Sequence, residues 1–187
     1  VPEIRLDGFE GEWEAKILSR VTNITMGQSP KSENYTDNPN DYILVQGNAD
    51  IKNKQVVPRL WTTEVTKMAE IGDIILTVRA PVGDIGKTDY NVVIGRGVAA
   101  IKGNDFIFYT LEKMKMTGFW NRFSTGSTFD SISSNDIKEA IIQIPTLKEQ
   151  QAIGAYFSNI DNLISAHQEK IFQLETLKKK LLQDMFI

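Results

Sequence analysis

The forty residues from Thr146 to Met185, near the C-terminal end of the sequence, carry apolar side chains at alternating spacings of four and three. Ile153, Phe157, Ile160, Ile164, His167, Ile171, Leu174, Lys178, Leu181 and Met185 fall on one seam, and only His167 and Lys178 interrupt its apolar character. This is the a/d pattern of a coiled coil, and it predicts one continuous helix. At 1.5 Å per residue, Lys148 to Met185 makes a rod of roughly 57 Å, far longer than a small domain needs to cover its own core. Such a rod requires a partner helix. Thr146 is the expected N-cap, with Glu149 three residues on completing a capping box.

What precedes the rod has enough apolar material for one ordinary domain: 41% of the 187 residues are hydrophobic, including nine Phe, five Tyr and three Trp. Cysteine is absent, which removes disulfides, thiolate zinc sites and cysteine nucleophiles and fits a reducing cytoplasm. No stretch approaches a membrane span, so a soluble chain is expected. The formal charge is -3. Residues 146–187 hold five charges of each sign, so the acidic surplus lies wholly in residues 1–145. Phosphate binding normally shows as a basic surplus, so any nucleic-acid reading needs a local basic face.

Along the chain, Trp13, Ile17, Leu18, Val21 and Ile24 have a short helix-like spacing between Phe9 and Ile24. A polar loop is expected from Lys31 to Asp41. Short β-branched or aromatic runs then read as strands: Tyr42 to Val45, Gln55 to Val57, Ile74 to Val78, Val92 to Ile94, Val98 to Ile101 and Phe106 to Tyr109. Together they suggest a curled, mostly antiparallel sheet. Leu111 to Phe123 has helical periodicity, weakened at Gly118. A polar loop, Ser124 to Thr128, leads to a last strand from Ile137 to Ile144, which Pro145 ends. The expected fold is α+β: a β-rich globular head, residues 1–145, followed by one long C-terminal coiled-coil helix, residues 146–187.

Catalytic signals are weak. Pro81 to Thr88 ends in Gly-Lys-Thr like a phosphate-binding loop, but proline stands where glycine is required and strand-like residues follow. Gly95-Arg96-Gly97 imitates a dinucleotide fingerprint without a following helix, so both segments read as turns joining strands. The single histidine, His167, lies on the rod seam, which precludes a Ser-His-Asp triad or histidine metal cluster within one chain. A polar residue tolerated at the pairing face is its plain reading, a pH-sensitive interface its sharper one. Glu14 and Lys16 with Asp7 have nuclease-like spacing, though an amphipathic segment explains them better. No catalytic residue, metal site or cofactor is expected.

Several stretches together resemble the specificity subunit of type I restriction-modification systems. Gly11-Glu12-Trp13-Glu14 leading to Ile24-Thr25-Met26-Gly27-Gln28-Ser29-Pro30 is similar to that family's entry into a target-recognition domain. Gly72 to Arg79, then Pro81-Val82-Gly83, is similar to its central strand and turn. Gly126-Ser127-Thr128 through Ile132-Ser133, with Ile144-Pro145-Thr146-Leu147-Lys148-Glu149-Gln150-Gln151-Ala152-Ile153, resembles its exit into a spacer helix. Lys180 to Phe186 resembles that helix's usual end. The family often has two prolines at the spacer entry, where this chain has Pro145 and Thr146.

The resemblance implies a non-catalytic, DNA-reading protein that binds double-stranded DNA and docks methyltransferase subunits and, through them, the restriction subunit. A complete subunit of that family carries two recognition domains and two spacer helices, whereas this sequence has one of each. Two copies are therefore expected to pair as a homodimer through an antiparallel coiled coil, using Ile153, Phe157, Ile160, Ile164, His167, Ile171, Leu174, Leu181 and Met185. A natural half-length unit and one half of a longer chain both fit, and the initial Val1 favours excision or processing. Base-reading candidates, chosen as amides, cations and hydroxyls on loops, are Gln28, Ser29, Lys31, Gln46, Asn48, Arg79, Lys87, Ser127 and Thr128. Lys52, Lys54 and Arg59 are candidates for phosphate contacts. The rival reading is a coiled-coil adaptor whose β-rich head binds protein, which suits the acidic balance.

Overall fold

The computed structural model describes residues 2–123 and 131–186. Thirteen strands and three α-helices appear among them. The strands are β1 (Glu14–Ile17), β2 (Ile24–Met26), β3 (Tyr35–Thr36), β4 (Tyr42–Val45), β5 (Ile51–Lys52), β6 (Gln55–Val56), β7 (Trp61–Thr62), β8 (Met68–Ala69), β9 (Ile74–Thr77), β10 (Ile85–Lys87), β11 (Val92–Ile94), β12 (Val98–Ile101) and β13 (Ile141–Ile144). The helices are α1 (Asp105–Met116), α2 (Ser134–Lys138) and α3 (Leu147–Met185).

Strand pairing gives a six-stranded sheet ordered β2-β12-β9-β10-β6-β5, a five-stranded sheet ordered β3-β7-β4-β11-β8, and the two-stranded pair β1-β13. All pairs are antiparallel except β10 with β6 and β11 with β4. The central strands β9 and β12 of the six-stranded sheet are buried on both faces. In β9, Ile74 and Leu76 point into a core shared with α1, while Ile75 points the other way, into a second core with Val45, Val92 and Ile94 of the five-stranded sheet. In β12, Ala99 and Ile101 share the first core, and Val98 and Ala100 the second. Period-two alternation thus places consecutive residues of one strand in different cores, which explains why β9 reads as an unbroken apolar run.

Several expectations need correction. Residues 9–24 form no α-helix: they run as β1, a short 3-10 turn at Leu18–Arg20 and β2. Trp13, Leu18, Val21 and Ile24 still pack on one core, because strand, turn and strand bring them there in succession. Phe106 to Tyr109 is not a strand but the first turn of α1, capped by the Asn104 side chain accepting from the Ile107 N–H at 3.1 Å. Its aromatic and β-branched composition reflects burial, not extended backbone. α1 ends at Met116, beyond which Gly118 takes φ +69 and a 3-10 turn, Phe119–Phe123, follows. The run 137–144 divides into the end of α2, with Ser133 and Asp136 forming a capping box, and the shorter β13. In place of one curled sheet there are two packed sheets and a strand pair.

The long helix is continuous over Leu147–Met185. Thr146 caps it, accepting from the Glu149 N–H at 3.4 Å. Glu149 does not complete the capping box, because its buried carboxylate turns instead to Arg5. Nε and Nη2 of Arg5 each donate to it at 2.8 Å, and Trp13 Nε1 donates at 3.3 Å. Gly154 faces the start of α1: a Cβ there would stand 2.7 Å from Asp105 Cβ and 3.1 Å from Phe106 N. The head is therefore seated directly on the first turns of the rod. No helix of the described residues is long and apolar enough to cross a membrane.

Candidate nucleic-acid interface

One end of the two packed sheets gathers four loops. The loop after β2 is fixed by the Gln28 N–H donating to Ile94 O at 2.9 Å, and the turn between β11 and β12 by the Gly95 N–H donating to Val45 O at 2.8 Å. The turn's other side is held by the Val78 N–H donating to Gly97 O at 2.9 Å. Gly27 and Gly97 permit these close approaches, since a Cβ on either would collide with a carbonyl oxygen, that of Gly95 or Gln46. Here the Gly95-Arg96-Gly97 turn presents Arg96 outward, its backbone N–H donating to Ser29 Oγ at 3.1 Å.

Asp50 organises the loop after β4. Buried to 7% exposure, it accepts from the backbone N–H groups of Gln46 at 2.8 Å and Gly47 at 3.2 Å, and Arg59 stands 3.7 Å away. Gln46, Asn48, Arg59 and Pro81 line a common cleft of about 580 Å³. Asn48 donates to Asp84 from the cleft's edge. Glu64 orders the start of the Lys31 segment, accepting from the Lys31 N–H at 2.8 Å and from Asn34 Nδ2 at 2.7 Å. These two bonds hold its carboxyl below the usual range.

Of the residues expected to read DNA, the structure brings together Gln28, Ser29, Gln46 and Asn48, with Arg79 exposed where β9 ends beside this group. Lys31 is exposed on the neighbouring loop, its Nζ 3.8 Å from Glu33. Lys87 lies elsewhere: its Nζ pairs with Asp105 and sits 5.3 Å above the Phe108 ring, facing a cleft next to α3. Lys54 faces the same cleft, whereas Lys52 is exposed on β5. Ser127 and Thr128 lie outside the described residues. Arg96 is absent from the sequence expectations, although a lone arginine flanked by glycines between two strand-like runs was the available signal. Amide, hydroxyl and guanidinium groups on adjacent rigid turns are the chemistry that base edges require. Among the described residues no group of three or more His, Cys, Asp or Glu side chains could hold a metal ion.

The rod seam divides in two. Ile153 packs against the head's core, Phe157 stacks on Tyr109 with ring centroids 5.2 Å apart, and Ile160 is half-buried. Beyond Asp161 every described residue of α3 is exposed. That free portion carries Ile164, Ile171, Leu174, Leu181 and Met185, 46% to 73% exposed, with His167 and Lys178 among them. Such a row of large apolar side chains on one helix face exceeds the scattered exposure normal for a monomer.

Comparison with known proteins places this geometry in context. The model of the type I restriction modification DNA specificity domain matches residues 10–176. The type I restriction enzyme MjaX specificity subunit of Methanocaldococcus jannaschii is 34% identical over 179 residues, covering 91% of this chain and 42% of that protein. The MjaIX specificity subunit of the same organism is 24% identical over 193 residues, covering 94% and 44%. The HsdS subunit from Thermoanaerobacter tengcongensis superposes with a TM-score of 0.72 at 28% identity, over 99% of this chain and 47% of that one. A chain from a structural study of complex assembly and conformational transition in the type I R-M system gives 0.79 at 30%, over 98% and 46%. The chain thus spans less than half the length of the relatives it matches.

Proposed function

Since the chain belongs to the family of type I restriction modification DNA specificity domains, we propose that it is a non-catalytic DNA-recognition unit that reads one half of a bipartite site. Two copies pair through the free part of α3, antiparallel, and set a head at each end of a two-helix rod. The observation that carries the reading is the combination on one chain of a rigid cluster of base-matching side chains, Ser29, Gln46, Asn48 and Arg96, with an unpartnered apolar helix face. A two-fold dimer predicts an interrupted palindrome as target. The rod of about 58 Å corresponds to about 17 base-pair steps, the scale needed to hold two reading heads along one duplex. Residues 1–145 act as the recognition domain and 146–187 as spacer, dimer seam and docking surface for methyltransferase subunits, which bring the restriction subunit.

The test is selection of bound duplexes from a random library, with the chain alone and together with a type I methyltransferase subunit from the same source. Enrichment of two identical half-sites at a fixed gap is the expected result. Recovery of no enriched sequence with the methyltransferase subunit present would overturn the reading in favour of a protein-binding head.

A further inference from the structure

We propose that Asp161 is a positioning residue that fixes the angle between head and rod and thereby selects the gap between half-sites; this rests on the bipartite reading above. Attachments at two levels hold the head, with Ile153 and Phe157 packed between them. The upper one lies at Glu149 and Gly154, and the lower one at Asp161, about 18 Å further along the axis than Glu149. Asp161 is the last residue of α3 before the fully exposed portion. Its carboxylate accepts from Lys54 Nζ at 2.9 Å on both oxygens and from the Tyr109 hydroxyl at 2.8 Å.

Three separate elements meet there. Lys54 comes from the tight turn between β5 and β6, where Asn53 and Lys54 adopt φ 49 and 63, and its carbonyl accepts from the Lys87 N–H at 2.9 Å. Tyr109 comes from α1, as does Glu112, 2.7 Å from Lys54 Nζ. Burial works against the charge on Lys54, but Glu112 and Asp161 outweigh it and raise its pKa. Burial together with the Asp161 carboxylate raises that of Tyr109. A lysine paired with two carboxylates, one on the head and one on the rod, joins the two bodies, and among the described residues Asp161 is the last of α3 to make a hydrogen bond to the head.

The leverage is large enough to matter for DNA. Releasing the lower attachment leaves the head held at Glu149, Ile153 and Gly154 and, nearer Asp161, by the apolar contact of Phe157 with Tyr109 alone. A swing of about 10° over a head about 30 Å across moves the reading loops about 5 Å, more than one base-pair step of about 3.4 Å. The half-site bases are untouched by this motion, because Asp161 has no contact with the loops that present Arg96 and Gln46. Gap length and base preference are thus set by different residues.

The experiment is duplex selection with the gap between half-sites randomised in length, using the full chain with its methyltransferase subunit. Wild type, Asp161→Ala, Asp161→Glu and Tyr109→Phe are compared. Wild type is expected to enrich one gap length. Asp161→Ala should enrich the same half-site bases across neighbouring gap lengths, Tyr109→Phe should broaden the gap less, and Asp161→Glu, which keeps the carboxylate, should restore a single gap. Because Tyr109→Phe removes one hydroxyl only, it reports even if the alanine variant folds poorly. An unchanged single gap in Asp161→Ala, or altered half-site bases in it, overturns the proposal. A wild-type selection without two half-sites overturns the bipartite reading itself and this proposal with it.

Discussion

Gly154 offers the sharpest test of how the head is seated, because two effects of opposite sign compete there. In a solvent-facing helix interior, glycine to alanine stabilises by about 0.8–1.0 kcal/mol through backbone entropy alone. Gly154 is buried, however, and an alanine Cβ would stand 2.7 Å from Asp105 Cβ and 3.3 Å from Asp105 C. Neither atom belongs to the mobile end of a side chain. The start of α1 would have to retreat by about 1 Å, together with Phe106 in the core behind it, and overpacking of this kind costs about 1–3 kcal/mol. The clash wins: Gly154→Ala should lose about 1 kcal/mol, and Gly154→Val, with two further methyl groups at the contact, about 2–3 kcal/mol more. For a chain of this length each kcal/mol corresponds to about 2–4 °C in Tm. Urea unfolding followed by tryptophan fluorescence gives the free energies, and a thermal melt checks them. An alanine variant more stable than wild type would refute the close seating of α3 on α1.

Three further outcomes follow from other parts of the molecule. Ile164→Asp or Ile171→Asp should convert the proposed dimer to a monomer in light scattering, since a carboxylate buried in an apolar seam costs several kcal/mol; an unchanged mass would mean that the seam has no partner helix. Arg96→Ala should cost about 1–3 kcal/mol in binding and relax base preference at one position, whereas Lys52→Ala, as a phosphate contact, should weaken all sequences alike and lower the salt slope by about one. For Glu64, whose folded carboxyl lies below the ordinary 4.5 because the Lys31 N–H and Asn34 hold it ionised, the stabilisation is present above 4.5 and disappears as pH falls through the lower folded value. Amide exchange at Lys31 should accelerate in that acidic window, and Glu64→Gln should abolish the step.

The rod was legible because its signal repeats: the a/d spacing persists over ten positions, and the helix boundary falls where Thr146 and Pro145 mark it. Strands β4, β9, β11 and β12 were legible for a related reason, being unbroken apolar runs, of which β9, β11 and β12 are buried on both faces. Two-residue strands such as β5, β7 and β8 carry too little pattern to be read, and their pairing is decided by sheet neighbours distant in sequence. Phe106 to Tyr109 misled because buried aromatic residues look alike in a strand and in the first turn of a core helix, while the Asn104 cap was the outweighed clue. At the candidate interface, loop composition indicated Gln28, Ser29, Gln46 and Asn48. It could not indicate that Arg96 stands beside them, nor that Lys54 and Lys87 lie at the rod, because those facts depend on which loops the two sheets bring to one end.

The same separation of cations reconciles an acidic chain with the DNA reading proposed above. Lys54, Lys87, Lys102 and Lys115 each pair with a carboxylate of the head or rod. They contribute to the net charge but are committed to holding the fold. Arg79 and Arg96 have no ion pair among the described residues and are exposed, so the field at the loop end is set by a few cations and not by the total of -3. A face with so few free cations releases few counterions, and one head alone should hold DNA weakly. In the proposed dimer the rod then becomes part of the affinity: once one head is bound, the second is delivered at an effective concentration fixed by a stiff spacer, provided its angle matches the gap. On this reasoning the unpaired helix face, the clamp at Asp161 and the sparse positive charge of the head are linked, since weak individual heads make binding depend on correct spacing.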